Sequence, residues 1–228
     1  MENIQRRDLV KTTALAGIGA ATLAIANTAR ADEGSNVEDA LAKITSELDR
    51  LASVEEIRNQ LFNYVHSIDR IDYELGYGCF AEDSVLDYGE AFKGTGREFI
   101  DYCLPGHMQC TWTHHLYGAM HIDVDGDKAG SSTYGHINIL APVDGEKDAY
   151  PGDPLYVLHN QRVRYHDLWE RRSGRWVIVN RVVSYDISYH EPVYLEGWPA
   201  NENAFRGDEC FDDPSYAVVP FHAGLDKE

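Results

Sequence analysis

Two long strand-turn-strand patterns in the second half of the chain constrain the fold more than any other feature. The predicted strands are 111–124 and 128–140, joined around Gly126, and 156–171 and 175–188, joined around Gly174. Both joints contain the small polar residues and glycine that favour hairpin turns. The sequence therefore predicts two long antiparallel hairpins.

Helix-like patterns precede these strands. Apolar residues recur at helical spacing within 37–51, and a second helix is predicted from Ser53 to about Asp69. Ser53 and Glu56 fit a capping box, and Glu55 is also placed to interact with the helix dipole. Shorter helices are predicted at 73–80 and 96–104, and a short hairpin at 84–88 and 91–93. This order of elements indicates an α+β fold, in which a curved antiparallel sheet wraps around the N-terminal helices.

The first 31 residues have the features of an export signal. Arg6 and Arg7 form a twin-arginine pattern, a modestly apolar run follows at 13–26, and residues 29–31 read Ala-Arg-Ala, like a cleavage site. An amphipathic N-terminal helix is the alternative, since the run is too short and interrupted for a membrane span. We expect this twin-arginine signal to be removed and the protein to reach the periplasm.

The remainder of the chain divides into three predicted segments. Residues 32–52 form a leader and N-terminal helix, 53–188 form the main domain, and 189–228 form an irregular tail. The tail has four prolines and little periodicity. Its aromatic side chains are expected to anchor it: Trp198, Phe205, Phe211, Tyr216 and Phe221.

Charge and cysteine usage limit the partners. The chain has 20 Lys+Arg, 38 Asp+Glu and a formal net charge of −18. Nucleic acids and anionic membranes bind positive surfaces, so neither is expected as a partner, whereas a small-molecule substrate is. Cys79, Cys103, Cys110 and Cys210 form no Cys-x-x-Cys pair, which argues against a zinc site. Disulfides and buried free thiols both remain open in an oxidising compartment.

Two adjacent histidines, His114 and His115, lie within a predicted strand. Their side chains must point to opposite faces of the sheet. We predict that His114 faces a cavity and that His115 is structural. The predicted partner of His114 is Asp69, which lies at the edge of an apolar helical stripe. A buried carboxylate is costly without a partner, so Asp69 is expected to contact such a group. A helix-capping or exposed position is the alternative for Asp69.

Arg181 and Tyr64 complete the predicted catalytic group. Arg181 alternates with Val177, Val179 and Val183, so it lies on an apolar strand face. A guanidinium keeps its charge when buried, which implies a substrate anion or a carboxylate partner, and a structural salt bridge fits equally well. Tyr64 lies at the other edge of the helical stripe that carries Asp69.

Substrate contacts are predicted for three residues: His136, Trp112 and Ile68. A surface role fits His136 equally well. No metal site is predicted, because the histidines lack the spacing of a metal-binding set. Residues 123–127 resemble a calcium loop, but their glycine is misplaced and no matching glutamate follows.

Several of these residues also carry a family resemblance. They are the Ser-Ile-Asp-Arg run at 67–70, His114 on its strand, and the segment 169–176 leading to Arg181. Residues 53–188 resemble the SnoaL-like, nuclear transport factor 2-like superfamily, with its gamma-hexachlorocyclohexane dehydrochlorinases, scytalone dehydratases and bile-acid 7-alpha-dehydratases. The resemblance implies a cone-shaped α+β fold with one enclosed pocket. It also implies that Asp69 and His114 are the catalytic pair, Arg181 a pocket arginine and Tyr64 a catalytic tyrosine.

These observations together predict a cofactor-independent lyase of the dehydratase or dehydrohalogenase type. Asp69 would orient His114, which would take a proton from a small hydrophobic, aromatic or polycyclic substrate. Three alternatives stay open: a formaldehyde-releasing retro-aldol lyase on lignin-derived aromatics, a cyclase or isomerase, and a non-catalytic periplasmic ligand-binding module. The resemblance also implies a homo-oligomer, for which a trimer is one candidate.

Overall fold

The computed structural model describes residues 34–143, 152, 154–194 and 206–221. The predicted export signal lies outside these residues, as do Trp198 and Phe205 of the predicted tail. The chain divides into two compact units, 1–51 and 52–228. In the first unit the described residues are helical, and Leu41, Ile44, Leu48 and Leu51 are exposed.

The first helix, α1, runs without a break from Gly34 to Arg70. The prediction of two helices separated before Ser53 is therefore wrong. Ser53 is buried, and its hydroxyl accepts a hydrogen bond from Nη2 of Arg171 at 2.8 Å. The residue that looked like a helix cap instead ties the middle of α1 to the last hairpin.

The end of α1 is set by backbone geometry. Ile71 adopts a positive φ of 62°, which right-handed helices do not allow. Asp72 then caps the short helix α2, Tyr73–Tyr77, by accepting from the backbone N–H of Leu75 at 3.1 Å. Asp72 therefore belongs to the start of α2 and not to the end of α1.

Six strands form one open sheet in the order β2-β1-β6-β5-β4-β3. The strands are β1, Phe80–Asp87; β2, Lys93–Gly94; β3, Trp112–Asp125; β4, Lys128–Pro142; β5, Tyr156–Arg172; and β6, Arg175–Val193. Helix α3, Gly96–Gln109, lies between β2 and β3 in the sequence. The α+β class is confirmed, as are both long hairpins, whose turn residues Gly126 and Gly174 have positive φ angles of 59° and 76°. The sheet is mixed rather than wholly antiparallel, because β1 pairs in parallel with β6.

The core lies between α1, α3 and one face of the sheet. The predicted apolar stripe of α1 is buried at Ile57, Leu61, Tyr64, Val65 and Ile68. Across from it lie aromatic residues of the sheet, including Tyr165, Trp169 and Trp176, in the same buried cluster. The described helices contain no segment with the length and apolar character of a membrane span.

The side chains predicted to share the inward face of β6 were Val177, Val179, Arg181 and Val183. This prediction is correct for the last two residues and wrong for the first two. Arg181 and Val183 are buried as predicted. However, a bulge separates the pairs Leu168–Asn180 and Trp169–Ile178, so one extra residue of β6 is unpaired at Val179. An extra residue reverses the in-and-out alternation beyond it. Ile178, not Val177 or Val179, therefore joins the core cluster.

Part of the predicted tail forms short helices that pack on the domain. A 3-10 helix spans Gly207–Asp212, and α4 spans Pro214–Val218. The hydroxyl of Tyr216 donates to Oδ2 of Asp72 at 2.5 Å, and the Phe221 ring stacks on His66 with centroids 4.1 Å apart. The prediction that aromatic side chains anchor the tail is confirmed for Tyr216 and Phe221.

Candidate functional site

A carboxylate and an imidazole form a buried pair between α1 and β3. Oδ1 of Asp69 lies 2.7 Å from Nδ1 of His115, and Oδ2 accepts the backbone N–H of His115 at 2.9 Å. Both residues are buried. Asp69 thus fixes the position of His115 through two atoms, which restrains both the strand and the ring.

The predicted contact between Asp69 and His114 is wrong. His114 is exposed on the opposite face of β3, where its ring stacks on Trp112 with centroids 5.6 Å apart. The cross-strand pairs with β4 are consistent with these opposite orientations, because His115 is paired with the buried Ile137 and His114 is paired with Asn138.

A bulge in β3 explains the error. Near the turn, Met120, Ile122 and Val124 pack against the core, and regular alternation from there would place His114 inside. The register shifts between Tyr117 and Met120, where Gly118 and Ala119 together are opposite one residue of β4. This extra residue reverses the alternation and turns His115 inward. A glycine within a strand is a known signal for such a bulge, so Gly118 was the clue in the sequence.

The charge of Asp69 is maintained despite its burial. Burial raises the pKa of this carboxyl, but the charge and two hydrogen bonds of His115 together outweigh that effect, so the pKa lies below its usual value. Asp69 is therefore a carboxylate at neutral pH and accepts both hydrogen bonds. Within the described residues, Nε2 of His115 makes no hydrogen bond.

A second histidine, His107 near the end of α3, lies beside this pair. Its ring centroid is 5.8 Å from that of His115, with 30° between the ring planes. Burial, followed by the charge of His115, lowers the pKa of His107 to about 4. The tail approaches the same place, since Arg206 donates to the backbone carbonyls of His107 and Cys110. No pattern in the sequence predicts a role for His107.

Arg181 is fully buried and has a carboxylate partner. Its Nε and Nη2 donate to the two oxygens of Asp167 at 2.7 and 2.9 Å. The guanidinium also lies over the rings of Tyr64 and Tyr165, 4.3 and 4.8 Å from their centroids. Burial would lower its pKa, but the charge of Asp167 outweighs this, and the pKa of Arg181 is raised. The predicted burial of Arg181 is confirmed, together with the carboxylate-partner alternative.

Two tyrosines connect Arg181 to the helix that carries Asp69. Nη1 of Arg181 donates to the hydroxyl of Tyr88 at 3.5 Å, and that hydroxyl is 3.0 Å from the hydroxyl of Tyr64. Burial raises the pKa of Tyr64 and raises that of Tyr88 to about 12, so both are neutral hydroxyls. Tyr117, two residues beyond His115 on the same strand, has its ring 6.2 Å from that of Tyr64.

The three predicted substrate contacts are not brought together. Ile68 is buried in the core beside Asp69, as the helical stripe implied. Trp112 and His136 lie on the other face of the sheet, with Leu116 and His136 paired across β3 and β4. Their predicted place in the cavity is wrong. For Trp112 the reason is the same as for His114, because the bulge in β3 exchanges the two faces of that strand. His136 lies on β4, which pairs with β5 without a register shift, and it faces away from the helices as the surface alternative implied.

The Asp69–His115 pair lies away from the surface cleft that the described residues form, and it is not part of a metal-ligand group among them. Among the described residues, no three His, Cys, Asp or Glu side chains are grouped as metal ligands. A cleft of about 470 Å³ opens between α2, β1 and α3, with Arg97, Glu98 and Asp101 in its wall, but neither Asp69 nor His115 lines it.

The sequence profile of the SnoaL-like domain matches residues 49–182, more than half of the chain. This protein belongs to the SnoaL-like family. Asp69, His115, Tyr64 and Arg181 all lie within the matched region. Comparison with curated protein sequences gives no match.

Solved structures share the fold of this SnoaL-like protein at low sequence identity. A scytalone dehydratase-like protein from Novosphingobium aromaticivorans is 20% identical, with a TM-score of 0.51 over 65% of this chain and 95% of that protein. LinA is also 20% identical, with a TM-score of 0.50 over 65% of this chain and 94% of LinA. A type 2 hexachlorocyclohexane dehydrochlorinase is 17% identical, with a TM-score of 0.51 over 67% and 99% of the two chains.

Proposed function

We propose that this protein is a cofactor-independent lyase in which His115, oriented by Asp69, takes a proton from a small substrate. The observation that carries the proposal is the double contact of the Asp69 carboxylate with His115, through Nδ1 and the backbone N–H. The family and the names of its structural neighbours, a dehydratase and dehydrochlorinases, support the same class of reaction.

The tautomer of His115 follows from the charge of Asp69. A carboxylate only accepts hydrogen bonds, so Nδ1 of the neutral imidazole carries the hydrogen and Nε2 carries the lone pair. Nε2 is then the basic atom, and it receives the substrate proton. The imidazolium that forms is stabilised by the Asp69 charge 2.7 Å from Nδ1.

Tyr64 is the group proposed to assist departure of the leaving group. Arg181 donates to the Tyr88 oxygen, which leaves the Tyr88 proton free to be donated to the Tyr64 oxygen. The Tyr64 hydroxyl can then donate a hydrogen bond to a leaving hydroxide or halide, or to a developing oxyanion, and keeps its own proton. Arg181 itself is occupied by Asp167, so it acts through Tyr88 and is a positioning residue.

The charged partner behind His115 favours catalysis over the alternative of a ligand-binding module. Holding a ligand requires shape and a few polar contacts, but it does not require a buried carboxylate behind a histidine. Such a carboxylate is costly to bury and becomes useful when the imidazole gains a proton.

The experiment is a substrate screen that uses adjacent histidines as a matched pair. Hydroxylated steroids, halogenated compounds and lignin-type dimers are incubated with the protein and followed by mass spectrometry for loss of water, hydrogen halide or formaldehyde. For a compound that is turned over, His115→Ala should abolish the reaction, whereas His114→Ala, on the exposed face, should retain it. Unchanged turnover by His115→Ala would exclude the proposed base.

A further inference from the structure

Two buried polar atoms beside the Asp69–His115 pair have no hydrogen-bond partner in the described part of the chain. They are Nε2 of His107 and Oγ1 of Thr113. Leaving such an atom buried and unpaired costs roughly 1–3 kcal/mol, so most buried polar atoms in proteins have partners. Their position next to a proposed base points to a group supplied by the substrate.

The chemistry of His107 Nε2 follows from the other nitrogen of its ring. Nδ1 lies 3.0 Å from the backbone carbonyl of Cys103 and 3.3 Å from the Cys103 thiol. The carbonyl is the shorter contact and can only accept, whereas the weakly bonding thiol can donate or accept. Nδ1 therefore carries the hydrogen, and Nε2 has only a lone pair. Because the low pKa keeps the ring uncharged at neutral pH, Nε2 accepts a hydrogen bond and cannot donate one.

Thr113 is placed on the same side as His115. The two residues are separated by one position on β3, with no register shift between them, so both side chains point toward the helices. Thr113 has only 2% of its surface exposed. Its hydroxyl can donate as well as accept, which complements the acceptor of His107.

We propose that His107 Nε2 and Thr113 Oγ1 form a subsite for a hydroxyl group of the substrate, so the compound processed at His115 is an alcohol rather than a purely halogenated hydrocarbon. The hydroxyl donates to His107 and accepts from Thr113. This inference rests on the proposed function for its placement of the substrate at His115. A site that contains buried hydrogen-bonding groups rejects analogues that lack the matching group, because its own polar atoms then stay unpaired.

The test compares cyclohexanol with chlorocyclohexane as binding probes. The two have similar shapes, but chlorocyclohexane is the more hydrophobic, so an apolar pocket would prefer it. Binding to the full-length protein is measured by titration, following the ring signals of isotope-labelled histidines in NMR spectra. We expect cyclohexanol to bind on the order of tenfold more tightly and to shift the His107 signal.

Three variants test whether the named atoms cause this preference. His107→Phe should remove it, and Thr113→Val, which is nearly isosteric, should reduce it without affecting the fold. Thr133→Val is the matched control, because Thr133 on β4 is also fully buried with an unpartnered hydroxyl but is opposite Met120, away from His115. This variant should keep the preference.

Three outcomes would overturn the subsite. These are equal or tighter binding of chlorocyclohexane, an unchanged preference in both His107→Phe and Thr113→Val, and no binding of either probe at the solubility limit. The measurement does not require turnover, so it separates the two proposals. If His115→Ala retains lyase activity while the preference depends on His107, the proposed base fails and the hydroxyl subsite stands.

Discussion

Replacement of Asp69 by asparagine tests the central pair with a minimal change of shape. The carboxylate accepts from both the backbone N–H and Nδ1 of His115. An asparagine has one oxygen, so its NH2 group must face one of these two positions. If the asparagine oxygen accepts the hydrogen bond from the backbone N–H of His115, its NH2 group faces Nδ1 and donates to it. Nδ1 must then carry the lone pair, so the hydrogen of the neutral imidazole lies on Nε2. The proposed basic lone pair is then lost.

The cost in stability can be estimated from these two contacts. Hydrogen bonds to a charged group contribute about 1.5–3 kcal/mol each, against about 1 kcal/mol for a neutral pair. With two neutral hydrogen bonds in place of the two charged ones, Asp69→Asn should lower the free energy of unfolding by about 1–4 kcal/mol. For a urea m-value of about 2–3 kcal/mol/M, the midpoint should fall by about 1 M.

The pH dependence of this loss is set by the lowered pKa of Asp69. A carboxyl whose pKa is lower in the folded protein than in the unfolded chain stabilises the fold above the unfolded value, near 3.9. That contribution is lost as pH falls through the folded pKa. The difference in stability between wild type and Asp69→Asn should therefore be present at about pH 5 and above and should narrow below about pH 4.

The assay is urea denaturation of both proteins across this pH range, with the exposed Asp123→Asn as control. That variant makes the same chemical change at the surface and should stay within about 0.5 kcal/mol of wild type. An equally stable Asp69→Asn, or a difference that does not vary below pH 4, would refute the charge-based account. With a substrate in hand, Asp69→Asn should lower kcat on the order of 10²-fold or more through the wrong tautomer.

Four further predictions concern the rest of the molecule. Arg181→Met should cost about 3–5 kcal/mol in urea denaturation because it leaves Asp167 buried and unpaired, and adding Asp167→Leu should recover most of that loss; no recovery would argue against the ion pair as the cause. Gly135→Ala should cost about 1–3 kcal/mol by the same assay, since a Cβ would lie 2.8 Å from the Tyr165 ring, whereas Gly130→Ala meets nothing within 4 Å and should be neutral. Replacing the twin arginines by lysine should retain the protein in the cytoplasm; undiminished recovery from the periplasm would contradict the proposed export route. We also propose that the protein is a homo-oligomer, for which light scattering at micromolar concentration should give a multiple of the chain mass and not that of a monomer.

Local patterns were sufficient to predict most elements of the fold. The turn residues around Gly126 and Gly174 predicted both long hairpins, and the spacing of Ile57, Leu61 and Ile68 predicted the buried face of α1. These features depend on neighbours close in the chain, where backbone preferences and the periodicity of helices and strands operate. The prediction failed at Ser53, because its hydroxyl bonds to Arg171, which is distant in sequence.

The residue types of the site were evident from the sequence, but their pairing was not. A carboxylate on the apolar stripe of α1, a histidine pair on a strand and an arginine among valines all pointed to a buried polar site. Which histidine faces Asp69 depends on the single extra residue at Gly118 and Ala119.

The same effect determines the partner of Arg181. Counting back from the turn along a regular hairpin places His166 opposite Arg181, whereas the bulge before Trp169 brings Asp167 there. The sequence by itself therefore determined the fold class, the hairpins and the chemical groups available to the site. Only the tertiary structure decided which of them meet, because a bulge is set by how a whole strand packs and reverses every side chain beyond it.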